Sequence, residues 1–190
     1  IRVVAPSGTL IGHEDNVKAG IRQLKGSGFT VQIDNSLMTR SFRGYLSGSD
    51  EERGAELLDA IGDDAVDIVW WARGGSGGAR LLTKLLPSLE MMPPKWLIGF
   101  SDATSILNAI SLSLKWVTLH GPTVSLLSSQ SKKPGNVRNL INNINNLNKN
   151  KGLPIYGGNV TVMASAMGLL NLDSLDEHHL LLEDVNEHPY

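Results

Sequence analysis

Short apolar runs alternate with longer stretches of helical period along this chain, and no other feature narrows its fold as far. Residues 66–71 are nearly all apolar, as a central strand covered on both faces should be. Residues 2–5, 29–33, Trp96–Gly99 and 116–119 read as further short strands. Between them, Glu14–Gly26 carries Val17, Ile21 and Leu24 at helical spacing, and Ala103–Leu114 follows the same period. Ser49-Asp50-Glu51-Glu52 fits a capping box, in which hydroxyl and carboxylate each satisfy an orphan N–H; the helix it opens is expected to run to about Ile61. Residues 74–78 form a glycine loop, with a helix expected through Leu86. Residues 36–48 have no clear period and read as a long loop. Gly157-Gly158-Asn159 reads as a turn into a helix over 160–169, and 179–185 as a last strand. Residues 135–151 are asparagine-rich but keep Val137, Leu140, Ile144 and Leu147 on one stripe, a surface helix of poor propensity.

Strands separated by helices imply βαβ units. The expected fold is α/β, a mostly parallel sheet flanked by helices, Rossmann- or flavodoxin-like. Residues 1–170 are expected to form one N-terminal domain, and 171–190 the last strand and the start of a linker. The opening run reads as a strand already under way, so upstream residues are expected. Ligands of such sheets sit at the carboxyl ends of the strands. The segments 6–12, 73–78, 99–102 and 120–123 all fall on that edge.

Bulk properties remove several functions. A net charge of −2 provides no strong field for nucleic acid or an anionic membrane. The absence of cysteine removes disulfides, thiolate metal sites and cysteine nucleophiles. No apolar run approaches the roughly 20 residues of a membrane span. His13, His120, His178, His179 and His188 show no metal-ligand spacing.

Ser101 lies where a buried strand ends and a helix begins, in Ile98-Gly99-Phe100-Ser101-Asp102-Ala103. Such a turn is a nucleophile elbow, with small residues needed two positions either side. Gly99 and Ala103 meet that need, although glycine is usual at both places. The turn would aim the Asp102 N–H at a developing oxyanion. Ser101 or Asp102 capping the helix explains the same residues more simply. Arg73-Gly74-Gly75-Ser76-Gly77-Gly78 lacks the spacing of a phosphate loop. It can supply a second oxyanion donor from Gly74 or Gly75, or be a flexible turn. Glu183-Asp184 closes a strand on the same inferred rim, where a carboxylate can orient a histidine or simply be solvated. His120 ends a strand and would line the pocket. Arg73 suits a substrate carboxylate, or an ion pair within the fold.

The ordered set of these segments resembles the LD-carboxypeptidase family, which includes the microcin-C-resistance peptidases. The matching stretches are Val4-Ala5-Pro6-Ser7, 44–53, 72–77, Ile98-Gly99-Phe100-Ser101-Asp102, His120-Gly121-Pro122, Gly157-Gly158-Asn159 and Leu182-Glu183-Asp184-Val185. The resemblance implies a Ser–Glu–His triad with Ser101 as nucleophile and Glu183 as acid. Its histidine would lie in a C-terminal domain with no counterpart here. The implied oxyanion donors are the Asp102 and Gly75 amides. Arg73, Gly74, Ser76, His120 and Asn159 are the implied substrate contacts. Ser76 departs from the tyrosine usual in the family, which bears on substrate contacts. The implied reaction is hydrolysis of the amide before a C-terminal D-amino acid, typically in a murein tetrapeptide recycled in the cytoplasm, without metal or organic cofactor. The implied partners are a small peptide and the chain's own C-terminal domain, with a homodimer among the possible arrangements. Alternatives are a peptide–nucleotide amide hydrolase, a non-catalytic peptidoglycan-fragment binder and a nucleotide-binding domain using the glycine loop.

Overall fold

The computed structural model describes residues 1–127, 154–170, 172, 175 and 177–184. Five parallel strands form the main sheet: β1 (Arg2–Val4), β2 (Gln32–Ile33), β3 (Ile68–Trp71), β4 (Trp96–Gly99) and β5 (Thr118–His120). Their order is β2-β1-β3-β4-β5. That is the flavodoxin-like order, in which the chain switches direction between β1 and β3. The α/β expectation is met.

Successive side chains along a strand point to opposite faces, and the core divides accordingly. Val4, Val69, Trp71 and Leu97 pack on one face with α2 (Asp50–Gly62), α3 (Leu82–Leu89) and α4 (Ala103–Leu114). Val3, Trp70 and Ile98 pack on the other with α1 (Glu14–Gly26) and α5 (Val124–Leu127). Each fully buried aliphatic side chain contributes roughly 1.5–3 kcal/mol, which fixes the register of these short strands. The capping box of α2 is formed: Glu52 N–H donates to Ser49 Oγ at 3.2 Å, and Ser49 N–H donates to Glu52 Oε2 at 2.7 Å.

A second, two-stranded parallel sheet pairs β6 (Ile155–Asn159) with β7 (His179–Glu183). Here the sequence reading needs correction, because residues 157–159 are strand rather than turn. Gly157 and Gly158 have φ of 148° and 133°, and a Cβ at Gly157 would lie 1.9 Å from the Leu181 carbonyl oxygen. The glycines therefore permit a close strand contact that residues with side chains could not make. The helix that follows is α6 (Val160–Ala166), closed by a 3₁₀ turn at Met167–Leu169. Asn108 joins this small sheet to α4: its Nδ2 donates to Gly157 O at 3.1 Å, and Gly157 N–H donates to its Oδ1 at 3.4 Å.

Smaller differences have local causes. A 3₁₀ turn at Asn35–Met38, capped by Asp34, interrupts the expected long loop. Ala79–Leu81 is a 3₁₀ turn before α3, and α3 continues through Pro87 to Leu89. The expected helix over 135–151 lies outside the described residues.

Two helix glycines test the packing with opposite signs. A Cβ on Gly20 in α1 would lie 1.9 Å from the Val124 carbonyl oxygen, whereas a Cβ on Gly54 in α2 meets nothing within 4 Å. Gly54→Ala should stabilise by roughly 0.5–1 kcal/mol through helix propensity. Gly20→Ala should destabilise by about 2 kcal/mol, because the α1–α5 contact must open. Thermal melts of the two variants would check the pair; a stabilised Gly20→Ala would refute the contact.

Candidate active site

Ser101 joins β4 to α4 with φ of 61°, a left-handed conformation at a residue that carries a Cβ. Such a backbone costs on the order of 1–3 kcal/mol and persists only where its surroundings impose it. The crowding that imposes it is visible at Gly99. A Cβ there would lie 2.5 Å from the Ala103 Cβ and 3.2 Å from the Trp71 ring. Gly99 and Ala103 are thus the small residues that a sharp strand-to-helix turn requires, and Ser101 sits at its apex.

The glycine loop packs directly against this turn. A Cβ on Gly74 would lie 3.1 Å from Ser101 Cβ and 3.3 Å from its Oγ. Gly75, at φ 134°, approaches the Gly8 backbone so closely that a Cβ would come within 2.6 Å of it. Gly8 N–H donates to Gly74 O at 3.1 Å, joining the loops that follow β1 and β3. Among the described residues no backbone carbonyl accepts from Asp102 N–H, as expected of an amide ahead of the first turn of α4.

The Asp102 side chain does separate work. Its Oδ2 accepts from Gly78 N–H at 2.9 Å, tying the turn to the far end of the glycine loop. Burial pushes its carboxyl above the usual aspartate range, opposed by the Gly78 N–H and the Arg53 charge. Arg53 is fully buried beneath the loop: atoms of its guanidinium lie 3.0 Å from where a Cβ on Gly77 would stand. It donates to the carbonyls of Pro6 and Gly48 and to Asp50. Neither the Asp102 side-chain bond nor the burial of Arg53 was foreseen from sequence.

Glu183 ends β7, with His120 facing it from the end of β5; His120 Nε2 and Glu183 Oε1 are 4.0 Å apart, too far for a hydrogen bond. Glu183 Oε1 is buried and, among the described residues, without a hydrogen-bond partner. Burial, then the Asp184 charge, raises the Glu183 carboxyl, while burial lowers the His120 imidazole. The His120 ring also lies 5.2 Å from that of Phe100, the residue before Ser101.

A cavity of about 650 Å³ opens beside Ser101. Of the residues expected to form the site, Gly75, Ser76, Ser101, Asp102 and Asn159 line it. Asn159 also caps α6 by accepting from Val162 N–H and donates from Nδ2 to Asp184 Oδ1 at 3.1 Å. Gly74 stands behind Ser101, and His120 beside Glu183. Arg73 lies outside the lining, its Nη1 donating to Thr9 O at 2.8 Å. Asp184, of the acidic pair expected on this rim, also lines the cavity, as does Arg80, which the sequence reading does not single out. Arg80 is the first cation after the glycine loop, a position that could have drawn notice. Among the described residues no group of three His, Asp or Glu comes together as a metal site.

Residues 1–121 match the model of the LD-carboxypeptidase N-terminal domain. The chain belongs to the LD-carboxypeptidase family. A putative carboxypeptidase of Synechocystis sp. is 32% identical over 200 residues, covering 100% of this chain and 64% of its own length. The murein tetrapeptide carboxypeptidase of Pseudomonas aeruginosa is 28% identical over 212 residues, covering 100% of this chain and 67% of that protein. An MccF-like protein from Bacillus anthracis superposes with a TM-score of 0.59 at 28% identity, over 67% of this chain and 38% of its own. The chain thus spans about 64% of the length of three putative carboxypeptidases it matches.

The raised Asp102 carboxyl makes stability depend on pH with a definite sign. Because the folded value lies above the ordinary 3.8, the unfolded chain loses this proton first as pH rises. The contribution of Asp102 is therefore fully present below 3.8 and is lost as pH climbs through the folded value. Asp102→Asn keeps an acceptor for Gly78 N–H and removes the titration. Its Tm relative to wild type should rise between acidic and neutral pH. A difference independent of pH would show that Asp102 is not held in this way.

Proposed function

We propose that this chain supplies the nucleophile, the acid and the oxyanion donors of a serine LD-carboxypeptidase acting on murein peptides. The observation that carries the reading is Ser101 at φ 61°, with its side chain against Gly74. Family membership and the name of the P. aeruginosa relative support the substrate class.

In this reading Ser101 Oγ attacks the carbonyl before the C-terminal D-residue as an imidazole takes its proton. The Asp102 and Gly75 amides stabilise the oxyanion, and their fixed backbones need no reorganisation as charge develops. The imidazole returns the proton to the departing amine, leaving an acyl-enzyme on Ser101, which water then cleaves. Glu183 orients the imidazole and stabilises its charged form. We assign that imidazole to the part of the relatives' length that this chain does not span. Gly74 and His120 shape the walls behind Ser101 and Glu183, Ser76 and Asn159 contact the peptide, and Arg73 holds the loop after β1.

The test is release of D-alanine from murein tetrapeptide by a protein of the relatives' full length. Ser101→Ala should remove turnover, since losing a triad member costs on the order of 10⁶ in rate in a well-studied serine protease. Retention of more than a tenth of the activity would overturn the nucleophile assignment. A fluorophosphonate probe should label the wild type and not Ser101→Ala.

A further inference from the structure

A carboxypeptidase must distinguish a chain end from a chain interior, and the difference at the scissile bond is one free carboxylate on the leaving residue. That carboxylate lies beside the carbonyl under attack, so its reader must line the same cavity as Ser101. The inference below rests on the peptidase reading above and names the recognition it needs.

Three arginines stand near the site, and their surroundings separate them. Arg73 is turned to Thr9 O, outside the cavity lining. Arg53 is fully buried behind Gly77, with its donors directed at Pro6 O, Gly48 O and Asp50. Arg80 lines the cavity, and its side chain is 47% exposed. It belongs to the Ala79–Leu81 turn, directly after the loop that presents Gly75.

The Arg80 guanidinium is held on one edge. Its Nε and Nη2 lie 3.0 and 2.7 Å from Asp50 Oδ2. Among the described residues Asp50 is its one acceptor, so the rest of its fork remains free to bind a ligand. Asp50 also accepts from Arg53, so one carboxylate serves two guanidiniums. The carboxylates that share the lining are engaged elsewhere: Asp102 with Gly78 N–H, and Asp184 with Asn159 Nδ2. A planar fork fixed along one edge, with donors to spare, suits a second carboxylate.

We propose that Arg80 binds the free α-carboxylate of the leaving residue and sets the specificity for a chain end. Asp50 and Arg53 are positioning residues for it.

The experiment compares murein tetrapeptide with its C-terminal amide in the full-length protein. Wild type should prefer the free acid. Arg80→Gln should lower kcat/KM on the acid roughly 10–100-fold, the worth of a charged hydrogen bond, while changing the amide less than about 3-fold. Arg80→Lys should keep part of the preference. An equal fall on both substrates would mean that Arg80 only supports the loop, and an unchanged acid-to-amide ratio would mean that it does not meet the carboxylate; either overturns the proposal. So would loss of the ratio in Arg73→Gln but not in Arg80→Gln. Calorimetry in a Ser101→Ala background separates this proposal from the peptidase reading. Acid-selective binding to Ser101→Ala that depends on Arg80, together with no turnover by the wild type, would leave this proposal standing and remove the hydrolase. Failure to bind either peptide would overturn the proposal as well.

Discussion

The site is built on main chains brought closer than side chains would allow. Position 99 must be glycine because Ala103 Cβ stands 2.5 Å from where its Cβ would go. Gly8 and Gly75 meet backbone to backbone, and Gly74 backs Ser101. Each contact removes a possible side chain from a place where two strand ends converge. The result is a serine with positive φ, pressed from behind and open in front. Such a backbone is costly on its own, so the surrounding structure has to enforce it.

Part of that enforcement comes from the inward face of α2, which carries charge as well as apolar groups. Glu56 Oε1 accepts from Ala5 N–H at 2.7 Å and pairs through Oε2 with Arg40. Arg53 donates to Pro6 O, and Ser47 N–H donates to Ser7 O at 3.1 Å. The segment after β1 is therefore held at three successive residues, each by a different partner. Burial raises the Glu56 carboxyl, with the Ala5 N–H and Arg40 opposing it. An apolar α2 could bury comparable area, but it would leave Ala5 N–H and Pro6 O without these partners, a cost of about 1–3 kcal/mol each.

The features legible in sequence were those set by local period. Glu14–Gly26, Trp96–Gly99 and Ala103–Leu114 have the bounds their apolar spacing indicated. The elbow was legible because the period changes at Ser101 between two small residues. Features set by distant partners were not. Gly157 and Gly158 look like a turn until Leu181 and Thr104 are placed against them. The burial of Arg53 was not legible either, because nothing in its own segment announces the loop it lies beneath. Arg73 and Arg80 flank the same glycines, and only the path of the backbone through Gly74–Gly78 turns one to Thr9 and the other to the cavity.

Glu183 shows how the two sheets are tied together. Its strand pairs with β6, and β6 is fixed to α4 by the paired hydrogen bonds of Asn108 and by Asn159 N–H donating to Thr104 Oγ1 at 3.3 Å. The same helix begins at Ala103, two residues after Ser101, so Glu183 and Ser101 are both positioned by a single rigid element. Glu183 Oε1 is buried without a hydrogen bond among the described residues, and the nearby His120 imidazole is biased by burial toward its neutral form. A buried carboxylate oxygen left this way is costly to the fold. The cost has a use if that oxygen is reserved for an imidazole N–H, which is the geometry the peptidase reading requires. On this view the strain at Ser101 and the unsatisfied oxygen of Glu183 are two parts of one arrangement, both paid for by the packing of α4.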